Sequence, residues 1–436
     1  MHDSFNGQHV TDQGAAVAAF ERAVAALAAH RPLAGANLDE AVALAPDFVA
    51  AHARKGFAAL TLGRAELRPH AVGAAREARA AADRAGRRTA AEMALLDGLD
   101  IAVTGRFTDA AARLERQLES EPRNFLLLKL AHALRFMAGD LDGMLAATSA
   151  VLPHWTEAEP AAGYVYGCHA FGLEEAGHYA EAERYGALAL ERAPDDAWGL
   201  HAISHVDEMK GRTREGIARL EASRALWSRC NNFQFHLAWH LALLHMEAGA
   251  HDHVLALYDT EIRPQPTDDY RDVANAASLL WRLRLAGIAV GDRWDELRAL
   301  GQRRAADTTL MFASLHHLFA LAAGGDAPAI DSVLASWEAE VAYGQGDQAD
   351  VAACVGLDLA RVIAGRVRPG TDYAGLARRL PALGGSNAQR DVFLQTLATT
   401  AARNGDARAV ATVMTTRHTL RGSDRFSRRL AELVAA

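Results

Sequence analysis

The chain has 436 residues, 50% of them hydrophobic and only 7% aromatic, with a formal net charge of −8 and a pI near 6.2. Roughly a fifth of it is alanine, which points to closely packed helices, because alanine loses no side-chain entropy in a helix and its methyl lets neighbours approach. The acidic balance excludes nucleic acid as a default partner, since phosphate binding depends on clustered cations. No apolar run reaches the ~18 residues of a membrane span, and the first residues show no secretory signal. Three cysteines, Cys168, Cys230 and Cys354, supply neither a disulfide framework nor a metal knuckle, which suits a reducing, cytoplasmic setting.

In chain order, residues 1–13 are polar and are expected to fray, and one continuous helical array is expected over 14–436. Ala41, Pro46, Gly56 and Gly63 keep part of a repeat pattern. The clearest unit carries Gly98, Ile101, Gly105, Phe107, Ala110, Leu114 and Pro122, and Leu173, Gly177, Tyr179, Ala182 and Pro194 fall in the same phase. This is the small, apolar, turn, aromatic, small and breaker order of a tetratricopeptide repeat of about 34 residues. Glycine ends the first helix with positive φ, alanine lets two helices close, and proline refuses to continue the second helix. Further helices are predicted to end at Gly211, Gly249, Gly287, Gly324 and Gly405, with surface loops at 262–269 and 343–348. The last segment, with Arg417, Arg421, Arg425, Arg428 and Arg429, reads as a solvated capping helix. The fold class is therefore all-α, a tetratricopeptide-type α-solenoid: a right-handed superhelix of antiparallel helix pairs with a concave groove.

Chemistry-bearing residues gather on the first helices of these pairs. His201 and His205 are four apart and Glu208 three further, so the three share one helical stripe. Asn231, Asn232, His236, Trp239 and His240 repeat the theme on the next first helix, followed by Asp272 and Arg282, then His316 and His317. Four readings stand side by side. A divalent metal fits His201, His205, Glu208, His236 and His240, although no HExxH is present. A metal-free acid/base site would use His205 or His240, oriented by Glu208 or Asp391. A ligand groove would recruit His201, His236, His316, Asn387, Arg390, Asp272 and Arg282. In the fourth reading the histidines are buried and satisfied by carbonyls. Gly384 and Gly385 lead into a helix start whose N–H groups, with Arg390, suit an anion. Cys168 reads as a small core residue, and His251 and His253 as exposed.

At these residues the sequence resembles the tetratricopeptide-repeat protein thirty-eight family, as a bacterial member, over about 160–436. The resemblance rests on Asp196-Ala197-Trp198, on His201 through Met209, on His236 to His240, on Tyr258-Asp259, on Gly291-Asp292-Arg293-Trp294, on His316, and on Gly385 through Phe393. Asp207 stands where the animal relatives are expected to carry histidine. The resemblance implies a helical solenoid and one shared site for His201, His205, Glu208, His236, His240, His316, Asn387, Arg390 and Asp391; it supplies no reaction. The functional expectation is a histidine-rich concave pocket that binds a small anionic molecule, with its transformation left open. The alternative is a scaffold that holds an extended peptide or protein partner in the groove.

Overall fold

Glycine sets the rhythm of the chain. Gly63, Gly105, Gly139, Gly177, Gly211, Gly249, Gly287, Gly325, Gly365 and Gly405 all have positive φ, at the spacing of roughly 34–45 residues common to helical repeats. At Gly249, for example, φ is 83°, its N–H donates to the Met246 carbonyl at 3.0 Å, and the Ala250 N–H returns to the His245 carbonyl at 3.0 Å. An L side chain would be strained there, so the stop is specific to glycine. One stop shifts from expectation: the helix runs through Gly324, and Gly325 is the left-handed residue, with φ 68°.

The computed structural model describes residues 1–435. Among them no strand forms; a single isolated bridge joins His2 and Gln8. No helix among the described residues is long and apolar enough to cross a membrane. The helices fall into two compact units, Met1–Ile203 with Ala225–Asn231, and Ser204–Arg224 with the chain from Asn232 onward.

The first unit contains α1 (Gly14–Ala28), α2 (Ala34–Leu44), α3 (Val49–Leu60), α4 (Arg68–Ala85), α5 (Ala90–Ala102), α6 (Phe107–Leu118), α7 (Phe125–Ala138), α8 (Leu141–Val151), α9 (Ala162–Glu175) and α10 (Tyr179–Arg192). Consecutive helices pair, α1 with α2, α3 with α4, α5 with α6, α7 with α8 and α9 with α10. Sequence explains the two kinds of partner. The first helices are apolar almost all round, as in Phe125-Leu126-Leu127-Leu128 of α7, and are buried on most sides. The second helices, such as α6, bury one stripe (Phe107, Ala110, Ala111, Leu114, Leu118) and turn their charges outward. Ala110 and Ala182 are fully buried, so the small residues sit at helix crossings as the repeat pattern expects.

Residues 2–9 do not fray. Asp3 Oδ1 accepts the N–H groups of Phe5 and Gly7 at 2.9 and 2.7 Å, and Asp3 Oδ2 lies 2.7 Å from His9 Nε2. Phe5 packs on Phe125 with ring centroids 5.6 Å apart. A short Asx-type turn plus one aromatic contact therefore ties down a segment whose composition alone reads as loose.

α11 (Ala197–Met209) crosses the division between Ile203 and Ser204, and is followed by α12 (Thr213–Ala222) and α13 (Arg224–Trp227). The second unit continues with α14 (Phe233–Ala248), α15 (His251–Leu257), α16 (Tyr270–Leu285), α17 (Trp294–Arg303), α18 (Met311–Gly324), α19 (Ala327–Tyr343), α20 (Asp347–Val351), α21 (Leu357–Ile363), α22 (Tyr373–Arg379), α23 (Asn387–Arg403), α24 (Ala407–His418) and α25 (Arg425–Ala435). Its core includes Trp239, Trp337, Phe319 and Phe393, all nearly inaccessible. α14, α16 and α23 pack side by side, and α24 and α25 pack on α23. The expected loop after Ile262 is present and is pinned by Arg263, which donates to the Thr267 carbonyl at 2.8 Å and pairs with Glu296 at 2.7 Å.

Candidate functional site

The site of the second unit is built from three helix faces. α11 contributes His205 and, three residues later, Glu208; α14 contributes His236 and His240, four apart on one stripe. α16 starts at the N-cap Asp269, whose side chain accepts the Arg271 N–H at 3.0 Å, and this phase sets Asp272 and Asn275 one turn apart on one face.

Three imidazoles converge. His240 Nε2 lies 3.1 Å from His205 Nε2 and 3.2 Å from His236 Nε2. The outward nitrogens are held by acceptors: His240 Nδ1 faces Glu208 Oε2 at 3.3 Å, and His236 Nδ1 faces Asn275 Oδ1 at 2.8 Å. A carboxylate and an amide oxygen accept only, so both Nδ1 atoms carry the proton and donate. Each Nε2 then carries a lone pair rather than a proton, and the two face each other at 3.2 Å. Burial pushes the His236 imidazole down to about 4 and His240 well below its ordinary value, so an extra proton is a poor remedy. A cation among the three nitrogens is a good one. With metal–nitrogen bonds of about 2.0–2.1 Å, separations of 3.1–3.2 Å correspond to angles of about 100°. The donor atoms of His205, His236 and His240 all lie within 4.8 Å of one another.

Glu208 is not a fourth ligand in this arrangement. One carboxyl oxygen orients His240 and the other accepts from Arg421 Nη1 at 3.1 Å, the outer-sphere pattern that fixes a ligating imidazole. Arg421 also contacts Asp391 at 3.3 Å, and Asp391 is held by Arg417 Nε at 2.6 Å. Arg417 is fully buried and also pairs with Asp424 at 2.5 Å. Burial alone would raise the Asp391 pKa, but Arg417 and Arg421 override it and hold the carboxyl well below the usual range. Where it was expected to orient a histidine, Asp391 accepts from Gln395 Nε2 at 2.8 Å, Arg417 Nε at 2.6 Å and Arg421 Nη1 at 3.3 Å, and so anchors α24 and the segment after it. Arg417 and Arg421 are correspondingly not solvated capping residues.

The remaining expected residues have partners of their own. His201, one turn before His205, belongs to the first unit, where its ring stacks on Phe171 (centroids 5.4 Å apart, 20° between planes) and lies 4.8 Å from Trp198. Asp207, buried, pairs with Arg219 at 2.8 Å and Arg212 at 3.0 Å and takes no part in the imidazole cluster. His316 occupies an aromatic cage of Phe312, Phe319 and Phe393, its Nδ1 donating to the Phe312 carbonyl at 2.7 Å. The helix start at 386–391 is closed by a capping box: Ser386 Oγ accepts the Gln389 N–H at 3.2 Å, and Gln389 Oε1 accepts the Ser386 N–H at 2.9 Å. Arg390 turns inward to the carbonyls of Gly384 and Gly385 and to Asn387 Oδ1 at 2.7 Å. The expected anion seat there is therefore taken up by the protein itself, with Asn387 and Arg390 in loop-holding roles. Asp272 is buried beside the cluster's outer sphere, accepting from Thr267 Oγ1 at 2.7 Å and Asn232 Nδ2 at 3.2 Å; burial, then Asp269, raise it to about 6. Arg282 donates to the Ser278 and Ala388 carbonyls at 3.3 and 2.7 Å and lies over Trp239. Asn275 belongs to no motif of the sequence. In chain order Asn275 follows Asp272 by three residues, the one signal that it shares that face.

No family model matches the chain. Among solved structures, a chain from "Structure of Naa15/Naa10 bound to HypK-THB" is similar at 12% identity and a TM-score of 0.28, over 93% of this chain. This chain spans 63% of the length of that one.

Proposed function

We propose that the second unit holds one divalent first-row cation on His205, His236 and His240, and that the protein binds a small anionic molecule at this centre. The observation that carries the reading is the pair of Nε2 lone pairs 3.2 Å apart, each fixed inward because its own Nδ1 donates to an acceptor. Three imidazoles suit zinc and its neighbours, and three protein ligands leave a coordination position for water or an oxyanion. That open position is what would allow transformation of the ligand as well as binding, since a bound cation polarises oxygens and acidifies water. Membership of the tetratricopeptide-repeat protein thirty-eight family and a reducing, cytoplasmic location belong to the same reading; the sparse, odd number of cysteines, three in 436 residues, supports the second.

The test is metal analysis of protein made without a histidine tag. The proposal expects about one equivalent of a divalent cation, removed by chelator and restored by zinc. A peptide scaffold expects none, and an absence of metal after reconstitution would overturn the proposal.

A further inference from the structure

A cavity of about 380 Å³ lies within the second unit between α14, α16, α23 and α25, the size range of small-molecule sites. Glu208, Arg282, Asp391, Arg421 and Arg429 are among its walls. The charges in these walls are unequal in what they leave over. Glu208 and Asp391 are already neutralised by Arg421 and Arg417. Arg282 is different: it is 3% exposed, its N–H groups donate to main-chain carbonyls, and no ion pair among the described residues includes it. Burial lowers it to about 10, so it stays a cation at neutral pH. A buried guanidinium has five N–H donors, and carbonyl partners supply no counter-charge.

The roof adds more positive charge. Arg425 and Arg429, four apart on α25, reach the left-handed glycines that end α14 and α16: a Cβ on Gly249 would meet Arg425 Nη2 at 2.5 Å, and one on Gly287 would meet Arg429 Nη2 at 2.8 Å. Cations at helix C-termini favour the carbonyl ends, which accounts for how α25 docks. Among the described residues it leaves Arg429 without a carboxylate partner at the edge of the cavity, and Glu432 as an acidic lining residue outside the ion pairs.

We infer that this cavity receives the oxyanion end of a small molecule, a carboxylate or a phosphoryl group, with Arg282 as its deep contact and Arg429 as the contact at the mouth. The inference deepens the function proposed above by giving the anionic ligand a seat, next to Glu208, whose other oxygen orients His240. Bidentate guanidinium recognition suits both oxyanions.

The experiment separates this claim from the metal claim by using chelator-treated full-length protein. Calorimetric titration with inorganic pyrophosphate and with citrate is expected to show saturable binding of at least one at millimolar concentration, weakened by high salt; whichever binds more tightly names the oxyanion class. Arg429→Glu, at an exposed position, is expected to weaken binding at least tenfold, and Arg282→Gln to abolish it, while Arg408→Gln on the exposed face of α24 leaves it unchanged. Should Arg282→Gln fail to fold by circular dichroism, Arg429→Glu decides alone. No saturable binding of either probe, or equal binding by wild type and Arg429→Glu, overturns the inference, whatever the metal content proves to be.

Discussion

Replacing Arg417 by leucine should be the most damaging single change in the second unit. The guanidinium is fully buried and joins two carboxylates that are themselves 3% and 7% exposed, Asp391 and Asp424. Leucine fills part of the volume but leaves both acids in a low-dielectric interior with less compensation. Removing one partner of a buried pair costs about 3–5 kcal/mol, a large share of the roughly 5–15 kcal/mol that holds a domain together. At about 2–4 °C per kcal/mol for a unit of this size, the midpoint should fall by about 10 °C. The pH dependence identifies the cause. Asp391 has a depressed pKa in the folded protein, so its contribution is present above the ordinary carboxylate value near 4 and fades as pH falls below it. The gap between wild type and Arg417→Leu should therefore narrow in acid, and Asp391→Asn in the Arg417→Leu background should recover part of the loss. Thermal and urea denaturation followed by circular dichroism measure both. A cost under about 1 kcal/mol at pH 7, or a gap that does not change with pH, would refute the buried-network account.

Glu208→Gln should weaken metal binding about 10- to 100-fold, the usual effect of losing an outer-sphere carboxylate, while Glu208→Asp should restore less than wild type; competition with a chromophoric chelator reads this, and an unchanged affinity would detach Glu208 from His240. His316 and His317 are lowered by burial to about 3 and about 4. Their contribution to stability is complete above the unfolded value near 6.5 and falls by about 1.4 kcal/mol per pH unit for each as pH drops from there toward the folded values; His316→Phe should flatten the acid limb, and an unaltered slope would count against its burial. Phe5→Ala should cost about 3 kcal/mol by emptying the contact with Phe125, measured by denaturation; no loss would mean that the amino-terminal hook contributes nothing.

Much of this structure is legible in the sequence because its repeat punctuation is local. Gly105 and Gly177 announce turns through the conformations only glycine adopts easily, and Ala110 and Ala182 announce crossings through their size. The spacing of His205, Glu208, His236 and His240 places them on helix faces by periodicity alone. What is not legible depends on partners distant in the chain. Nothing near Arg417 says that it will be sealed between Asp391 and Asp424, so a row of arginines reads as a wet surface. The hook at residues 2–9 is hidden for the opposite reason: a turn of a few polar residues looks like any loop until its ring finds Phe125. Arg390 is a case where a readable signal pointed elsewhere, since Ser386 followed three residues later by Gln389 is a capping-box pattern, and a capped start leaves its first N–H groups already engaged.

Metal stoichiometry decides whether the three imidazoles of the second unit hold a cation. Untagged wild type and His240→Ala, both exposed to zinc and then desalted, should differ by about one bound equivalent per chain under inductively coupled plasma mass spectrometry. Equal metal content in the two proteins, or none in wild type, would contradict a cation there.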